Sequence, residues 1–428
     1  MRPILTFAFA WFAGSLSCAF ASEDFIAGRL FVSDRGTERV LEYASSGELI
    51  HAWGAGEEGF AAPWGVAFGP DGRLYVSCAN GDLFVFDGAG GTARVLADGS
   101  RVDPRGITFG PDGRLFVASG GNDSIVVLGP DLVTERVEVC PAGRGKPTAL
   151  AFDRRGRLWV ASEESSSTYV FDLDSGAASS EVALPAPASD LSFYGGWQMA
   201  VAIPSLDQVH IADALNGVLL GVSYEPSEPT AYTPLHDGSR LIVARGTQEV
   251  LRPGYGPFGL VEYGGPPEMT DPVDATQAPW RFDVKLKGHG YTKDLEGPLS
   301  KRGRKVHEDA VLSLHPGTDQ VFLELDATGD LASDAWFGVE SVVLQGGGWQ
   351  FFTDGELGSS FSYRQTDRTI STAVEADAIL HRILRDKKKS YDDVIADLSG
   401  RIHLSKYTLD EFVTLKAKIA SKGPRNKN

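Results

Sequence analysis

The chain has 428 residues, 42% of them hydrophobic and 23% charged, so it is long enough for two or three domains with hydrophobic cores. Its formal net charge of −17 excludes the overall basic character that binding to nucleic acid or to anionic lipid requires, and we expect no nucleic-acid partner. Its 50 glycines indicate many tight turns, as in a protein built from short strands.

Residues 1–21 have the pattern of a signal peptide. Arg2 precedes an apolar stretch from Ile4 to Phe20, and we predict cleavage between Ala21 and Ser22. A membrane anchor is the alternative, but the stretch is short and no later segment reaches the ~20 apolar residues that span a bilayer. We therefore expect a secreted, periplasmic or cell-surface protein with no transmembrane segment in the mature chain.

Short apolar segments recur every 41 to 44 residues along the first two thirds of the chain. They begin at Leu30, Leu74, Leu115, Leu158, Met199 and Leu241. Each is four or five residues long and rich in β-branched or aromatic residues, which indicates a strand. Most follow a second strand that begins at a proline such as Pro63, and a Gly-Pro-Asp-Gly turn such as 69–72 joins the two.

Two further strands complete each repeat, and four strands in about 42 residues are typical of a propeller blade. The spacing therefore predicts a mainly β protein with a six-bladed β-propeller over residues 22–265. Residues 24–28 are too few to supply the innermost strand of the first blade. We expect that strand to come from beyond the sixth blade, from 258–263 or a following segment, so that the ring has no open edge.

The repeats resemble the NHL family over about residues 28–263, most clearly between Arg29 and Ser77. The matching segments are Val32-Ser33-Asp34, Arg39-Val40-Leu41-Glu42-Tyr43, Gly47-Glu48-Leu49 and Pro63-Trp64-Gly65-Val66. The resemblance implies a six-bladed propeller. It implies little about function, because propellers of this kind include both enzymes and binding scaffolds.

Ligands of such propellers are expected on the face formed by the loops before the innermost strands and after the second strands. The polar residues predicted in these loops as binding residues are Asp34, Arg35, Asn80, Arg105, Asn122, Asp123, Arg144, Lys146, Glu163 and Arg245. A mixed polar face with several arginines suits a protein, glycan or carboxylated ligand. A merely hydrated surface is the alternative.

No sequence motif identifies a catalytic residue or a metal ligand. Six-bladed relatives that are lactonases carry a Glu-Gly-Pro triplet on an innermost strand, but here Glu296-Gly297-Pro298 lies outside the repeats, which counts against a lactonase. Lyases with NHL repeats carry several histidines at the channel, whereas this propeller has His51, His210 and His236, with His210 predicted to pack inside a third strand. We predict no cofactor, although a divalent metal in the propeller channel stays open.

Beyond a Pro-rich linker at 266–279, short strands without the repeat predict a β-sandwich-like domain over 280–372. Trp336 and Trp349 could form a platform for sugar stacking in this domain, although aromatic residues in a small sandwich are mostly core. Residues 373–428 have helical apolar patterns, including a predicted helix after Thr408, and an excess of Lys and Arg. This part is predicted to be a basic helical tail.

The sequence as a whole favours an exported, non-catalytic binding protein that uses the propeller loop face to bind a protein or glycan. A metal-dependent hydrolase or lyase with its site at the channel mouth is the alternative. Cys78 and Cys140 are predicted at different radii of the propeller, so a disulfide between them is not expected.

Overall fold

The computed structural model describes residues 25–26, 28–44, 46–110, 113–153, 156–173, 175–194, 198–235, 240–252, 261–263, 269–292, 302–314, 320–326, 336–346, 349–354, 369–375, 399–407 and 411–419. The predicted signal peptide and its cleavage site at Ala21 and Ser22 lie outside these residues. The described part contains six four-stranded antiparallel sheets, followed by one eight-stranded antiparallel sheet. The six sheets are the six blades of a β-propeller, as predicted.

Each blade uses four consecutive strands, except the first, which takes its innermost strand from later in the chain. The first three strands in the chain belong to blade 1: β1 (Leu30–Asp34), β2 (Arg39–Tyr43) and β3 (Leu49–Trp53). Blade 2 contains β4 (Pro63–Phe68), β5 (Leu74–Cys78), β6 (Leu83–Phe86) and β7 (Thr92–Val95). Blade 3 contains β8 (Pro104–Phe109), β9 (Leu115–Ser119), β10 (Ser124–Leu128) and β11 (Thr134–Val139).

The remaining blades repeat the same order from the axis outward. Blade 4 contains β12 (Pro147–Phe152), β13 (Leu158–Ser162), β14 (Ser167–Phe171) and β15 (Ala178–Ala183). Blade 5 contains β16 (Asp190–Tyr194), β17 (Gln198–Ile203), β18 (Gln208–Asp213) and β19 (Val218–Tyr224). Blade 6 contains β20 (Pro229–Pro234), β21 (Arg240–Ala244), β22 (Glu249–Arg252) and β23 (Val261–Tyr263). Short 3₁₀ turns at Gly120–Asn122 and Pro204–Leu206 are the helical segments within the described residues.

Ring closure is provided by strand β24 (Pro272–Gln277), which pairs with β1 so that Leu30 lies opposite Gln277. The closing strand does come from beyond the sixth blade. The candidate segment ending at Tyr263 is instead the outer strand of blade 6. The propeller thus extends to Gln277 rather than 265, and part of the predicted linker 266–279 is a strand. Pro272 begins this strand just as Pro63 begins β4, so a proline read as linker is part of the repeat.

The hydrophobic core lies between the blades. Second strands such as β9 and β13 are buried along their whole length, which explains why they read as unbroken apolar runs. Outer strands such as β11 alternate between half-buried and exposed residues because their sheets end there. The pattern of buried residues along each strand thus depends on how far that strand lies from the propeller axis.

Hydroxyl groups connect neighbouring blades near the axis. Ser33 Oγ on β1 donates to the carbonyl of Trp64 in blade 2 at 2.5 Å. The equivalent Ser77 Oγ on β5 donates to the carbonyl of Arg105 in blade 3 at 2.6 Å. These bonds satisfy buried carbonyls that their own sheets leave free, and they fix the spacing between adjacent innermost strands.

The C-terminal sheet is antiparallel, in the order β29-β28-β31-β32-β25-β26-β27-β30. Its strands are β25 (Trp280–Thr292), β26 (Arg302–Leu314), β27 (Gln320–Asp326), β28 (Trp336–Gly346), β29 (Trp349–Asp354), β30 (Thr369–Glu375), β31 (Ser399–Tyr407) and β32 (Glu411–Ile419). A β-sandwich over 280–372 stays a prediction.

Two segments of the predicted helical tail are strands, β31 and β32, and not helices. Val413, Leu415 and Ile419 also fall at even spacings, which fit a strand, and in place of the predicted helix after Thr408 the segment pairs with β25 and β31. The tail residues 376–398, with the other predicted helices, lie outside the described residues.

Candidate functional site

The two loops predicted to form the binding face meet at one end of each blade. The backbone N–H of Glu163, after a second strand, donates to the carbonyl of Lys146, just before an innermost strand, at 3.1 Å. Equivalent bonds join Gly120 to Asp103, Arg245 to Glu228, Ala79 to Ala62, and Arg35 to Asp271, at 3.0 to 3.2 Å. The loop face (these paired loops around the channel mouth) is therefore held together by backbone bonds.

The residue before the first proline of an innermost strand has a left-handed backbone in four blades. These residues are Ala62, Asp103, Lys146 and Glu228, with φ between 45° and 50°. Such backbone is uncommon outside glycine, and it persists where surrounding contacts fix it. Because the same turn enters four innermost strands, the loop face has a repeated, rigid backbone from which Asp103 and Lys146 project.

Asp34 is fully buried at the end of β1, where it organises the backbone. Its carboxylate accepts hydrogen bonds from the N–H groups of Gly36, Thr270 and Asp271 at 3.2, 2.9 and 2.6 Å, and from the hydroxyl of Thr37 at 2.8 Å. All of its contacts lie within the protein. Asp34 is thus a structural residue at the ring closure, and it offers no free oxygen to a ligand.

Trp64 lies at the channel mouth between two of the predicted arginines. The guanidinium of Arg35, from blade 1, lies 4.4 Å from the centre of the indole, and that of Arg105, from blade 3, lies 5.0 Å from it. Such cation–π contacts fix both arginines against the half-buried ring. Sequence reasoning did not select Trp64. The sequence did contain a signal for it. Trp64 directly follows Pro63, and in blade 3 the predicted binding residue Arg105 occupies the same position after Pro104.

Arg105 is buried, and two exposed carboxylates neutralise it. Its Nη1 lies 2.5 Å from Glu163 Oε1, on the loop of blade 4, and its Nη2 donates to Asp103 Oδ2 at 3.2 Å. Here the structure brings the predicted residues Arg35 and Arg105 against Trp64, and Glu163 joins them through Arg105. The cluster spans four blades, and its charges nearly cancel.

The other predicted cations are also in ion pairs. Arg144 Nη2 donates to Glu181 at 2.6 Å and its guanidinium lies 4.7 Å from the ring centre of Tyr169. Lys146 Nζ lies 3.9 Å from Glu164. Arg245 lies 3.4 Å from Glu228. The loop face is therefore a mosaic of paired charges and not a free cationic surface.

Asn80, Asn122 and Asp123 stabilise local loops. The side-chain oxygen of Asn80 accepts from Asp82 N–H at 3.1 Å, and the amide of Asn122 donates to the carbonyl of Ser100 at 2.8 Å. Asp123 accepts from the N–H of Lys146 at 2.8 Å. These three residues therefore shape the loops, and the cluster at Trp64 does not include them.

The innermost strands differ at their third repeat position, which faces the next blade around the axis. The residues there are Gly65, Gly106, Ala149, Asp190, Ala231 and Asp274. A Cβ at Gly65 would lie only 2.4 Å from the carbonyl oxygen of Arg105, so these strands approach too closely for a side chain. Where an aspartate stands, it bridges two blades: Asp190 accepts from Tyr232 N–H at 2.8 Å.

Asp274, on the closing strand of blade 1, makes the equivalent bridge to blade 2 and accepts from Val66 N–H at 2.9 Å. Desolvation raises the pKa of Asp190 to about 6, against hydrogen bonds from the N–H groups of Tyr232 and Leu191. Desolvation and the charge of Asp190 raise the pKa of Asp274 to about 8. Sequence reasoning missed both residues, Asp274 because it lay in the predicted linker.

The two tryptophans of the predicted sugar platform lie at opposite ends of a strand pair. Trp349 begins β29 opposite Gly346, at the far end of β28 from Trp336. Ten residues along a strand correspond to roughly 33 Å, far more than one sugar ring spans. Trp336 lies opposite Tyr407 of β31. A sugar platform at Trp336 and Trp349 stays a prediction.

Among the described residues, no group of three or more His, Cys, Asp or Glu side chains is placed to hold a metal ion. None of the described helical segments has the length and apolar character needed to span a bilayer. His210 is buried in β18, where its Nε2 lies 2.9 Å from Gln208 Oε1, consistent with its predicted packing role.

No family model matches the chain, and no curated protein matches it. Solved propellers are similar in fold. A streptogramin B lyase is 15% identical with a TM-score of 0.46, covering 59% of this chain and 87% of that one. Virginiamycin B lyase from Staphylococcus aureus is 11% identical with a TM-score of 0.46, covering 69% and 91%. A chain of a nidogen/laminin complex is 15% identical with a TM-score of 0.49, covering 58% and 98%. These likenesses concern the fold alone.

Proposed function

We propose that this chain is an exported, NHL-type propeller that binds a protein or glycan on its loop face, without catalysis. The observation that carries the proposal is the cluster of Arg35, Trp64, Arg105 and Glu163 at the channel mouth. Its side chains come from four consecutive blades and are already fixed by contacts with one another. A ligand binding there therefore orders few side chains, which reduces the entropic cost of association.

The chemistry of this cluster suits a polar, largely uncharged or zwitterionic surface. The half-buried indole supplies flat apolar area, and exposed Glu163 and Asp103 supply acceptors beside it. Arg105 is paired with Asp103 and Glu163, and Arg35 Nε lies 3.9 Å from Asp271 Oδ2, so a ligand gains little from simple charge attraction. We expect binding that depends only weakly on salt concentration.

Binding of the purified full-length protein to a glycan array and to a panel of extracellular-matrix proteins tests the proposal. We expect Trp64→Ala and Arg105→Met to weaken binding at least about tenfold, the effect of losing one anchor of an interface. Arg114→Met is the matched control. Arg114 is also ion-paired, with Glu135 at 3.6 Å, and lies over Phe116, but it stands at the opposite face.

Equal binding by the parent protein and both loop-face variants would contradict the proposed site, and so would equal losses in the control. Thermal melting of each variant separates a lost contact from a lost fold. Glu163→Gln, which keeps the shape of the side chain, serves if Arg105→Met does not fold.

A metal-dependent hydrolase or lyase is the second candidate, favoured by the pair of carboxylates at Asp190 and Asp274 near the axis. Two carboxylates are fewer than the ligands that such sites use. Elemental analysis of the purified protein separates the candidates. A stoichiometric divalent metal that is lost in Asp274→Asn would favour the enzyme.

A further inference from the structure

The propeller contains two Asn-Gly pairs, Asn80-Gly81 and Asn216-Gly217. An asparagine is most easily attacked by the backbone nitrogen of the next residue when that residue is glycine, because glycine has no Cβ to hinder the approach. The attack closes a succinimide ring and expels ammonia, which is one source of the heat lability of asparagine. Since both pairs have the same chemistry, their surroundings decide which of them reacts in the folded protein.

The pair at Asn80, on the loop face, is held by hydrogen bonds. Asn80 Nδ2 donates to the carbonyl of Gly59 at 3.0 Å and to Asp82 Oδ2 at 3.1 Å, and Asn80 Oδ1 accepts from Asp82 N–H at 3.1 Å. The attacking nitrogen is engaged as well, because the N–H of Gly81 donates to the carbonyl of Cys78 at 2.9 Å. Gly81 is also buried. Ring closure at Asn80 therefore requires several of these bonds to break first.

The pair at Asn216 lies in the turn between β18 and β19, at the outer edge of blade 5, and both of its residues are exposed. Asn216 Nδ2 donates to Asp213 Oδ2 at 2.7 Å, which holds the amide by the nitrogen that would leave. Within the described part of the chain, neither Asn216 Oδ1 nor the N–H of Gly217 makes a hydrogen bond. The attacking nitrogen and the carbonyl end of the amide are thus both accessible.

The glycine of this pair is required by the fold. Gly217 has a φ of 68°, a left-handed backbone that favours glycine, and a Cβ there would lie 2.9 Å from the carbonyl oxygen of Glu181 on β15. The close approach of the outer strands of blades 4 and 5 therefore places a glycine directly after Asn216. The reactivity of this asparagine follows from the packing of the two blades.

We propose that Asn216 is a self-modifying site, which converts to isoaspartate in the folded protein while Asn80 stays intact. The nitrogen of Gly217 forms a bond to Asn216 Cγ and loses its proton to solvent. The Cγ–Nδ2 bond breaks, and Nδ2 takes a proton from water and leaves as ammonia. Water then adds to either carbonyl of the succinimide and opens the ring, which gives isoaspartate or aspartate. Nothing is oxidised or reduced, and water is the co-reactant.

The product changes the outer edge of blade 5. Asp213 loses the donor at 2.7 Å and gains a carboxylate as its neighbour, so the turn acquires a like-charge repulsion. An isoaspartate also adds a carbon atom to the main chain, so the turn no longer matches the register of β18 and β19. We expect β19 to open locally in the modified protein. The loop face lies at the other end of the blades and is unaffected.

Incubation of the purified full-length protein in oxygen-18 water, followed by digestion in ordinary water and peptide mass spectrometry, tests the proposal. Ring opening during the incubation introduces the heavy isotope, which separates it from conversion during digestion. At pH 8 we expect conversion at Asn216 to be at least about tenfold faster than at Asn80, because breaking two hydrogen bonds beforehand slows the reaction by about that factor. In guanidinium the two rates should agree within about threefold, because the fold no longer protects Asn80.

Asn216→Gln is the matched variant, since its longer side chain keeps an amide in the turn but closes the ring less readily. Labelling at position 216 should fall at least about tenfold in this variant. Hydrogen exchange checks the consequence: peptides covering β19 should exchange faster in the aged parent protein than in fresh protein, and those of aged Asn216→Gln should not.

Absence of labelling at Asn216 in the folded parent protein would overturn the proposal, and so would labelling at Asn80 that keeps pace with it. Both outcomes are read from the parent protein and do not depend on the folding of a variant. Unchanged exchange of β19 in protein that is fully converted at Asn216 would overturn the proposed opening of blade 5.

Discussion

The carboxylate of Asp34 accepts a 2.6 Å hydrogen bond from the backbone N–H of Asp271, which lies 237 residues later in the chain. A second bond, from Thr270 N–H at 2.9 Å, reaches the same side chain. Both donors directly precede the closing strand. One buried carboxylate therefore fixes the point at which the end of the propeller returns to its beginning.

Replacing Asp34 by alanine should lower the free energy of unfolding by about 3 kcal/mol, because several buried N–H donors lose their acceptor. Urea denaturation measures the change. Asp213→Ala is the matched control: Asp213 also accepts hydrogen bonds from two N–H groups, but within one exposed turn. We expect the control to lose much less stability than Asp34→Ala. Equal losses would show that the bonds to 270–271 are not special.

Adding a side chain at Gly65 should separate two blades. The new Cβ would lie 2.4 Å from the carbonyl oxygen of Arg105 and 2.9 Å from the N–H nitrogen of Ile107, both on backbone that cannot move without shifting β8. We expect Gly65→Ala to destabilise the protein by about 2 kcal/mol in urea denaturation.

The reverse change in blade 4, Ala149→Gly, is the control at the equivalent position. It removes a methyl group for which the wider seam has room. It should lower the free energy of unfolding by about 1 kcal/mol, because glycine makes the unfolded chain more flexible. A Gly65→Ala protein as stable as the parent would show that the seam between blades 2 and 3 relaxes freely.

The cysteines of the propeller should be unreactive in the native protein. Desolvation raises the pKa of Cys78 to about 12 and that of Cys140 to about 11, and both are free and buried. Because the thiolate is the reactive form, we expect no labelling by iodoacetamide at pH 8 and complete labelling after denaturation. Peptide mass spectrometry checks each site. A Cys78–Cys140 disulfide, or fast native labelling, would contradict the structure.

Acid should weaken the contacts that the carboxylate of Asp98 makes. Desolvation opposes ionisation of Asp98, but the hydroxyls of Ser100 and Thr134 and the charge of Arg101 outweigh it and lower its pKa to about 2. The stability from these contacts is present above about pH 4 and is lost as the pH falls toward 2.

We expect Thr134→Val to raise the pKa of Asp98 toward 3.8, because Thr134 Oγ1 donates to Asp98 Oδ2 at 2.7 Å. Carbon-13 NMR titration of the carboxyl group measures it. Thr92→Val, which removes a hydroxyl bonded to Glu57 instead, should leave Asp98 unchanged. An identical titration in the two variants would contradict the assignment.

Much of the candidate site was visible in the repeats. The loops carrying Arg35, Arg105 and Glu163 were placed on one face from strand order alone. The ion pairs of these side chains could not be predicted from the sequence, because they depend on which loop of the next blade lies within 3 Å. Trp64 was overlooked because an aromatic residue in a strand is usually core, whereas this one stands where the strand reaches the channel mouth.

The C-terminal part shows the limit of local patterns. Phe412, Leu415 and Ile419 fit a helical spacing, while Val413 and Ala417 complete an alternating one. Both periods fit nine residues, and the structure forms strand β32 there, paired with β25 and β31. Pairing with distant strands decides between them, and the local sequence does not contain that information.

By itself the sequence determined the blade: short β-branched runs, proline before the innermost strand and a glycine-containing turn are local features with local causes. It also required a closing strand, since the first blade lacked one. Only the tertiary structure decided that 272–277 closes the ring and that Asp190 and Asp274 stand on either side of blade 6. Those contacts join residues dozens to hundreds of positions apart, and their distances are fixed only when all the blades have packed.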